Sequence, residues 1–93
     1  MIEKTVKIQN ERGIHVRPCC AIAELANGFD SSVTIVHHGD RFNGKTSMSL
    51  IAAWIQQGDE ITVECNGNDE AEALEAVVNL IESGFAESLK GEM

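Results

Sequence analysis

The chain has 93 residues, of which 43% are hydrophobic, and its 15 acidic and 7 basic side chains give a formal net charge of −8. This length predicts one domain over residues 1–93, and the acidic balance disfavours binding to nucleic acid or to anionic membranes, because both need a basic surface. No apolar run approaches the roughly 20 residues of a membrane-spanning helix. The first residues alternate like a strand and lack the apolar core of a signal peptide, so we expect a cytoplasmic protein without membrane insertion.

The first elements in chain order are a strand and a helix. Apolar residues alternate with lysines over residues 2–8, which is typical of a half-buried strand. A helix is predicted from Val16 to about Asn27, with Pro18 in its first turn and Gly28 just after its end. Its apolar stripe is Cys19, Ile22, Ala23, Ala26 and Phe29.

The rest of the chain predicts a hairpin, a short helix, a strand and a last helix. The hairpin strands are expected at 32–37 and 40–43, and the short helix at 47–55. A strand at 60–65 alternates inward Ile61, Val63 and Cys65 with polar residues. The last helix is expected from about 70 to 83. We expect Asp69 and Glu72 to form its capping box, and its buried stripe to be Leu74, Val77, Val78 and Ile81.

The order β-α-β-β-α-β-α predicts an α/β (α+β) fold. Strands that alternate have one solvated face, and the two longer amphipathic helices can cover the other. We therefore expect a two-layer open-faced β-sandwich, in which a four-stranded, mostly antiparallel sheet is covered on one face by helices. The three cysteines, Cys19, Cys20 and Cys65, are an odd number and are expected to be reduced thiols that act as small apolar side chains.

The strongest candidate site is the segment G-I-H-V-R-P at residues 13–18. His15 lies at the start of the first predicted helix, whose N–H groups at Val16, Arg17 and Pro18, together with the helix dipole, form an anion site. The same positive end favours a neutral imidazole with a free lone pair. A neutral nucleophile beside a guanidinium suits the acceptance of a phosphoryl group. The plainer alternative is a surface histidine that caps the helix.

G-I-H-V-R-P closely resembles the phosphorylation segment of the HPr family, the histidine-containing phosphocarriers of the bacterial phosphotransferase system, which reads G-[ILM]-H-A-R-P. The resemblance covers almost the whole chain, including N-G-K-T-S-M at 43–48, while N-G-F-D at 27–30 and S-G-F at 83–85 look like the nitrogen-branch variant. Val16 stands where the family has Ala.

By position, the resemblance implies that His15 is phosphorylated and that Arg17 is its partner. It also implies that Thr46 occupies the place of a regulatory serine, and that Met48 and Ile51 belong to an apolar docking patch. The spacing of Met48, Ile51 and Trp54 is equally typical of core packing, and Trp54 stays ambiguous. Thr46 could equally be a helix cap.

Two other motifs have plainer interpretations. Residues 39–46, G-D-R-F-N-G-K-T, match the P-loop pattern, but no downstream strand ends in Asp to hold Mg²⁺, so we interpret them as a β-turn before a short helix. Consecutive strand residues face opposite sides, and no Cys or acidic residue stands at ligand spacing with His37 or His38. We therefore interpret both as strand-end residues and expect no metal site.

The resemblance implies a phosphocarrier that takes a phosphoryl group on His15 from an Enzyme I-type donor and passes it to an Enzyme IIA-type acceptor. Such a carrier is no enzyme, needs no cofactor and is expected to be a monomer. A kinase acting at Thr46 is a further implied partner. The alternative is a regulatory binding module that reports its phosphorylation state to partner proteins, with transfer secondary.

Overall fold

The computed structural model describes residues 1–9 and 13–85 of the chain, and all seven predicted elements are present in the predicted order. Four strands form one sheet: β1 (Ile2–Lys7), β2 (Ser32–His37), β3 (Asp40–Asn43) and β4 (Glu60–Asn66). Their spatial order is β1-β4-β2-β3, and each neighbouring pair is antiparallel. The predicted fold class is therefore confirmed.

Three helices accompany the sheet: α1 (Val16–Ala26), α2 (Ser47–Ala52) and α3 (Glu70–Glu82). α3 packs on β1 and β4, and α1 contacts both other helices. The central strand β4 buries the three residues that the alternation turned inward, while its other residues are half-buried or exposed. The aliphatic core between sheet and helices includes Ile8, Ile22, Ile35, Leu50, Ile61, Val63, Val77 and Ile81. No helix in the described residues is long and apolar enough to cross a bilayer.

The second helix is shorter than its apolar pattern predicts. It ends at Ala52 rather than at residue 55, because Ala53 caps it and Trp54 adopts a left-handed backbone conformation with φ 55°. A non-glycine residue in this region turns the chain sharply. The reversal frees the Ile55 carbonyl to accept a hydrogen bond from the Ile14 N–H across 3.0 Å.

The predicted capping box of α3 is not formed. The Asp69 side chain makes no capping bond and accepts hydrogen bonds from the backbone N–H groups of Asp30 and Ser31 instead, each at 2.9 Å. The carboxylate of Glu70, rather than that of Glu72, accepts a bond from the Gly67 N–H. Asp69 therefore joins the start of α3 to the chain before β2, a long-range contact that local sequence cannot indicate.

Two smaller expectations also differ. Ala73 takes a buried place on α3, whereas Leu74 is only half-buried. Cys19 and Cys65 are buried as expected, but Cys20 is exposed on α1, because consecutive helical residues point in different directions. All three thiols are free.

The prediction that His37 and His38 face opposite sides of a strand is wrong. His37 ends β2 with a buried side chain, but His38 has φ 52° and so leaves the extended conformation on which strand alternation depends. Its ring lies with its centroid 4.0 Å from that of His37. Asp59, far away in sequence, approaches both imidazoles.

Candidate functional site

The loop before α1 is held against the chain that follows α2. Gly13 has φ 64°, and a Cβ built there would lie 2.5 Å from the Ile55 carbonyl oxygen and 2.6 Å from the Gln56 Cα. Only glycine permits this approach. Ile14 is buried next to it and donates its N–H to the Ile55 carbonyl. These contacts fix where the chain enters α1.

His15 occupies the N-cap position of α1. Its backbone is extended, with φ −96° and ψ −164°, and its carbonyl accepts the first helical hydrogen bond, from the Cys19 N–H at 3.0 Å. Its side chain makes no capping bond, so the plainer interpretation of His15 as a helix cap has no support. The imidazole is half-buried, and its Nδ1 is shielded from solvent without a hydrogen-bond partner. Buried polar atoms without a partner are rare in folded proteins and call for a functional explanation.

The first turn of α1 presents two N–H groups rather than three. Pro18 has no N–H and its ring is buried, so Val16 and Arg17 carry the donors at the open end, which corrects the expectation for residues 16–18. Val16 and Arg17 are both exposed, and no acidic residue stands in this turn. The end of the helix dipole therefore meets no compensating carboxylate from its own turn, which suits an anion.

A cavity of about 480 Å³ opens beside the imidazole. It brings together residues from the start of α1 and from the chain around the end of α2, among them His15, Val16, Ile51 and Trp54. Ile51 is half-buried and packs against the core, whereas Trp54 is 73% exposed. Met48, one turn earlier on α2, is 72% exposed. We call Val16, Met48, Ile51 and Trp54 the apolar surface.

Thr46 stands directly before α2. Its side chain is exposed and makes no capping hydrogen bond, while its carbonyl accepts from the Leu50 N–H at 3.3 Å. The interpretation of Thr46 as a side-chain cap therefore has no support in the structure.

The P-loop match does not form a phosphate-binding loop. Asp40 to Asn43 lie in β3 and pair with β2, so their backbone is committed to the sheet. The Gly44 N–H donates to the Val33 carbonyl at 2.7 Å, and the Lys45 ammonium donates to the Phe29 carbonyl, also at 2.7 Å. The groups that would hold a phosphate in a P-loop are already occupied.

The cysteine next to the site is a packing residue. Burial, with a smaller contribution from Cys20, raises the pKa of the Cys19 thiol to about 11. Its Sγ lies 3.8 Å from the Ile14 carbonyl oxygen, towards which the S–H points. A thiol that stays protonated at neutral pH is a poor nucleophile. Cys19 is therefore not a candidate nucleophile at this end of α1.

Comparisons with known proteins agree with this geometry. The family model described as the PTS HPr component phosphorylation site matches residues 2–83. The chain is 36% identical over 87 residues to phosphocarrier protein HPr of Treponema pallidum, covering 94% of this chain and 99% of the relative. It is also 36% identical over 85 residues to phosphocarrier protein NPr of Proteus mirabilis, covering 90% and 94%.

Solved structures give the same result. A crystal structure of HPr from Thermoanaerobacter tengcongensis, 34% identical, matches with a TM-score of 0.88 and covers 92% of this chain and 97% of that one. A structure described as an HPr dimer from the same organism matches with a TM-score of 0.73, covering 91% and 98%. Members of this family interact with Enzyme I and Enzyme IIA partners. The chain therefore belongs to the HPr family, the phosphocarrier proteins of the phosphotransferase system, which carry a phosphoryl group and have no turnover of their own.

Proposed function

We propose that His15 is the residue of this phosphocarrier that takes the phosphoryl group from an Enzyme I-type donor and gives it to an Enzyme IIA-type acceptor. The observation that carries the proposal is an imidazole at the open start of α1 whose Nδ1 has no hydrogen-bond partner. In the step, the Nδ1 lone pair forms a bond to phosphorus as the bond from phosphorus to the donor's imidazole breaks. Transfer to the acceptor repeats the exchange in the other direction.

The buried position of Nδ1 requires a side-chain movement before transfer. An in-line displacement needs the attacking atom open on the side from which the donor approaches, and Nδ1 is shielded from solvent. Rotation of the half-buried ring about its χ1 and χ2 angles brings this nitrogen outward. Such a rotation breaks no protein hydrogen bond of Nδ1, because that atom makes none.

The groups that receive the phosphoryl oxygens belong to α1. The N–H groups of Val16 and Arg17 lie at the positive end of the helix, and the Arg17 guanidinium can bind two phosphoryl oxygens at once. Donors already fixed by the helix need little reorganisation as charge arrives. Donor and acceptor proteins supply the remaining groups.

We further propose that the apolar surface is where these partners dock. Met48 and Ile51 are the residues expected for this role, and Trp54 extends the surface to the cavity beside His15. Large exposed apolar side chains next to a polar reacting group are typical of protein interaction sites. The proposed role of Thr46 follows from its place two residues before Met48 on the chain. A kinase that phosphorylated it would add negative charge to the edge of this surface.

The second candidate function is a regulatory binding module, favoured by the similarity to an NPr protein. Both functions use His15 and the apolar surface. They differ in whether an Enzyme IIA-type acceptor removes the phosphoryl group or only binds the phosphorylated protein. Incubation of the phosphorylated protein with a molar excess of acceptor distinguishes them, since only transfer moves the phosphoryl group from this protein to the acceptor.

We also propose that the protein is cytoplasmic and monomeric. The three free thiols fit a reducing compartment. The exposed apolar surface is small and adjoins the site, which suits transient partners better than a permanent dimer. Sedimentation at micromolar concentration tests the oligomeric state, and a stable dimer would contradict the monomer.

The main test is phosphorylation by an Enzyme I-type donor with phosphoenolpyruvate, followed by mass spectrometry of peptides. The label is expected on the peptide that contains His15 and to be acid-labile and base-stable, as a phosphoramidate is. His15→Ala should abolish it without loss of the folded state, because the side chain is not part of the core. A label on the peptide with His37 and His38, or an acid-stable label as the main product, would contradict the proposal.

A further inference from the structure

A second cluster of reactive side chains lies at the far end of the β2–β3 hairpin. His37 ends β2, His38 follows in the turn, and Asp59 precedes β4. The Nε2 of His37 is 2.8 Å from Asp59 Oδ2, and the Nε2 of His38 is 3.9 Å from the same oxygen. One ligand atom from each residue fits within 4.8 Å of the other two.

The carboxylate in this cluster is held in place by the backbone. Asp59 Oδ2 accepts the Gln56 N–H at 2.9 Å, and the Asp59 N–H donates to the Gln56 carbonyl at 3.0 Å. The Asp59 carbonyl accepts from the Ile8 N–H next to β1. The His37 side chain is only 8% exposed. Two of the three side chains therefore occupy fixed positions, as a binding site requires.

The hydrogen bond between His37 and Asp59 does not involve the third side chain. His37 and the Gln56 N–H already satisfy the Asp59 oxygen that faces them. His38 is the first of the two residues of the β2–β3 hairpin turn, and its φ of 52°, like the 84° of Gly39, is the positive value that a two-residue hairpin turn requires. This turn brings its ring edge-on to His37 and its Nε2 towards Asp59. The cluster thus contains one imidazole more than the hydrogen bond with Asp59 needs.

The donor set and the distances suit a small divalent transition-metal ion. Two imidazole nitrogens and one carboxylate oxygen are ligands that Zn²⁺ and its neighbours in the first row accept. Tetrahedral ligands at bond lengths near 2.1 Å lie about 3.4 Å apart. The separation of 3.9 Å closes by a movement of His38, which is 68% exposed, and the separation of 2.8 Å between His37 and Asp59 must widen towards about 3.4 Å as the cation replaces their hydrogen bond.

We propose that His37, His38 and Asp59 bind one divalent transition-metal cation of the Zn²⁺ class. The Nε2 proton that His37 donates to Asp59 leaves this nitrogen when the cation binds: a neutral ring moves its proton to Nδ1, and a protonated ring keeps the Nδ1 proton and releases the Nε2 proton to solvent. The fourth ligand is water from an adjoining cavity of about 470 Å³, lined also by Phe42 and Trp54. This site is separate from His15, although Trp54 lines both cavities.

Trp54 makes the binding measurable without a label. It is the only tryptophan and the chain has no tyrosine, so the intrinsic fluorescence comes from a side chain beside the proposed site. Ni²⁺ and Cu²⁺ bound there are expected to quench it at one equivalent. Zn²⁺, which does not quench in this way, should compete with Ni²⁺, and calorimetry should give the same stoichiometry. Saturating Zn²⁺ should also raise the melting temperature, because it binds the folded state.

Variants assign the ligands. His38→Gln removes an exposed ligand and Asp59→Asn removes a charge while keeping a side-chain oxygen for the Gln56 N–H. Each should weaken Ni²⁺ binding by about tenfold or more. His38→Gln is also expected to fold normally, because its side chain is exposed. Cys20→Ser is the matched control for the exposed thiol and should bind as the wild type does.

The outcome is decided by which variant loses binding. Equal Ni²⁺ and Zn²⁺ affinity of the wild type and His38→Gln overturns the proposal, and so does loss of binding in Cys20→Ser. Loss in a His15→Gln protein with retention in His38→Gln would place the cation at the phosphoryl site instead and overturn it as well. These measurements use no phosphoryl donor, so they do not depend on the proposed function.

Discussion

Arg17 and His15 are two residues apart on the chain, and both lie at the open start of α1. The imidazole supplies a lone pair, while the guanidinium supplies charge and a planar pair of donors. Lysine keeps the charge but presents a single ammonium in place of the planar fork. Replacing Arg17 by lysine therefore distinguishes a role that needs only the positive charge from one that needs the planar pair of donors.

Arg17→Lys is therefore expected to slow donor-dependent phosphorylation of His15 by about tenfold, roughly the loss of one charge-assisted hydrogen bond in the transition state. Rapid-quench measurements at limiting and saturating donor give the rate. The melting temperature should change little, because Arg17 is exposed. Rates equal to those of the wild type at both donor concentrations would remove Arg17 from the mechanism.

At the scale of one element, the start of α2 places Thr46, the proposed regulatory residue, within six residues of Met48 and Ile51, which belong to the proposed docking surface. Thr46→Asp places a negative charge beside Met48, on a chain that already carries a net charge of −8. We expect this variant to weaken docking of the Enzyme I-type donor about fivefold, which corresponds to about 1 kcal/mol. The measurement is the phosphorylation rate at low donor concentration.

Two further substitutions at Thr46 control for the shape of the side chain. Thr46→Asn has nearly the same size as Asp without its charge, and Thr46→Ser keeps the hydroxyl, so both should react as the wild type does. If Thr46→Asp reacts at the wild-type rate, the regulatory role of this position fails.

The Asp69 carboxylate at the start of α3 accepts hydrogen bonds from the chain before β2. Hydrogen bonds from the Ser31 hydroxyl, and then from the Asp30 and Ser31 N–H groups, hold the pKa of Asp69 below its ordinary value of 3.8. A lowered pKa in the folded state means that the ionised form stabilises the fold. This contribution is complete at pH values above 3.8 and is lost as the pH falls towards the lower folded value.

Asp69→Asn should therefore be less stable than the wild type at neutral pH, and the difference should shrink below about pH 4. Urea unfolding at a series of pH values measures it. Glu75→Gln, which removes an exposed charge from the same helix, is the matched control and should leave stability almost unchanged. A constant difference between Asp69→Asn and the wild type across this range would contradict the assignment.

Taken as a whole molecule, the protein is predictable from sequence wherever the information is local. Period-two and helical patterns placed all seven elements, because each buries one face against the same core. The segment from Gly13 to Pro18 predicts a candidate site for the same reason, since its residues adjoin on the chain, and its role stays a prediction. Two features could not be predicted because they depend on backbone conformation or on distant partners. One is the left-handed conformation of Trp54, which ends α2. The other is the contact of Asp59 with His37 and His38, since Asp59 lies 21 residues after His38 on the chain.

The sequence analysis did not predict that Trp54 lines the cavity beside His15, and the spacing of apolar residues gave no indication of it. A spacing of three on a predicted helix put Trp54 with Met48 and Ile51, either in the core or on a docking face. The structure puts it outside the helix altogether, exposed, and lining the cavity with the imidazole. An exposed tryptophan is a large apolar area in a protein with 4% aromatic residues. It therefore belongs with the residues that a docking study should substitute.

Under the proposed function, the cavity beside His15 has a consequence for the movement of phosphoryl groups between proteins. A protein that reaches the imidazole through this cavity covers Val16, Ile51 and Trp54, so a donor and an acceptor would exclude each other from one carrier molecule. Each delivery then requires the carrier to leave one partner and diffuse to the other. The rate of phosphoryl transfer from donor to acceptor is then set by the dissociation rates of these complexes as well as by the chemical step. An acceptor in excess would occupy unphosphorylated carriers and delay their rephosphorylation by the donor. Weak, short-lived docking is the property that such a shuttle needs.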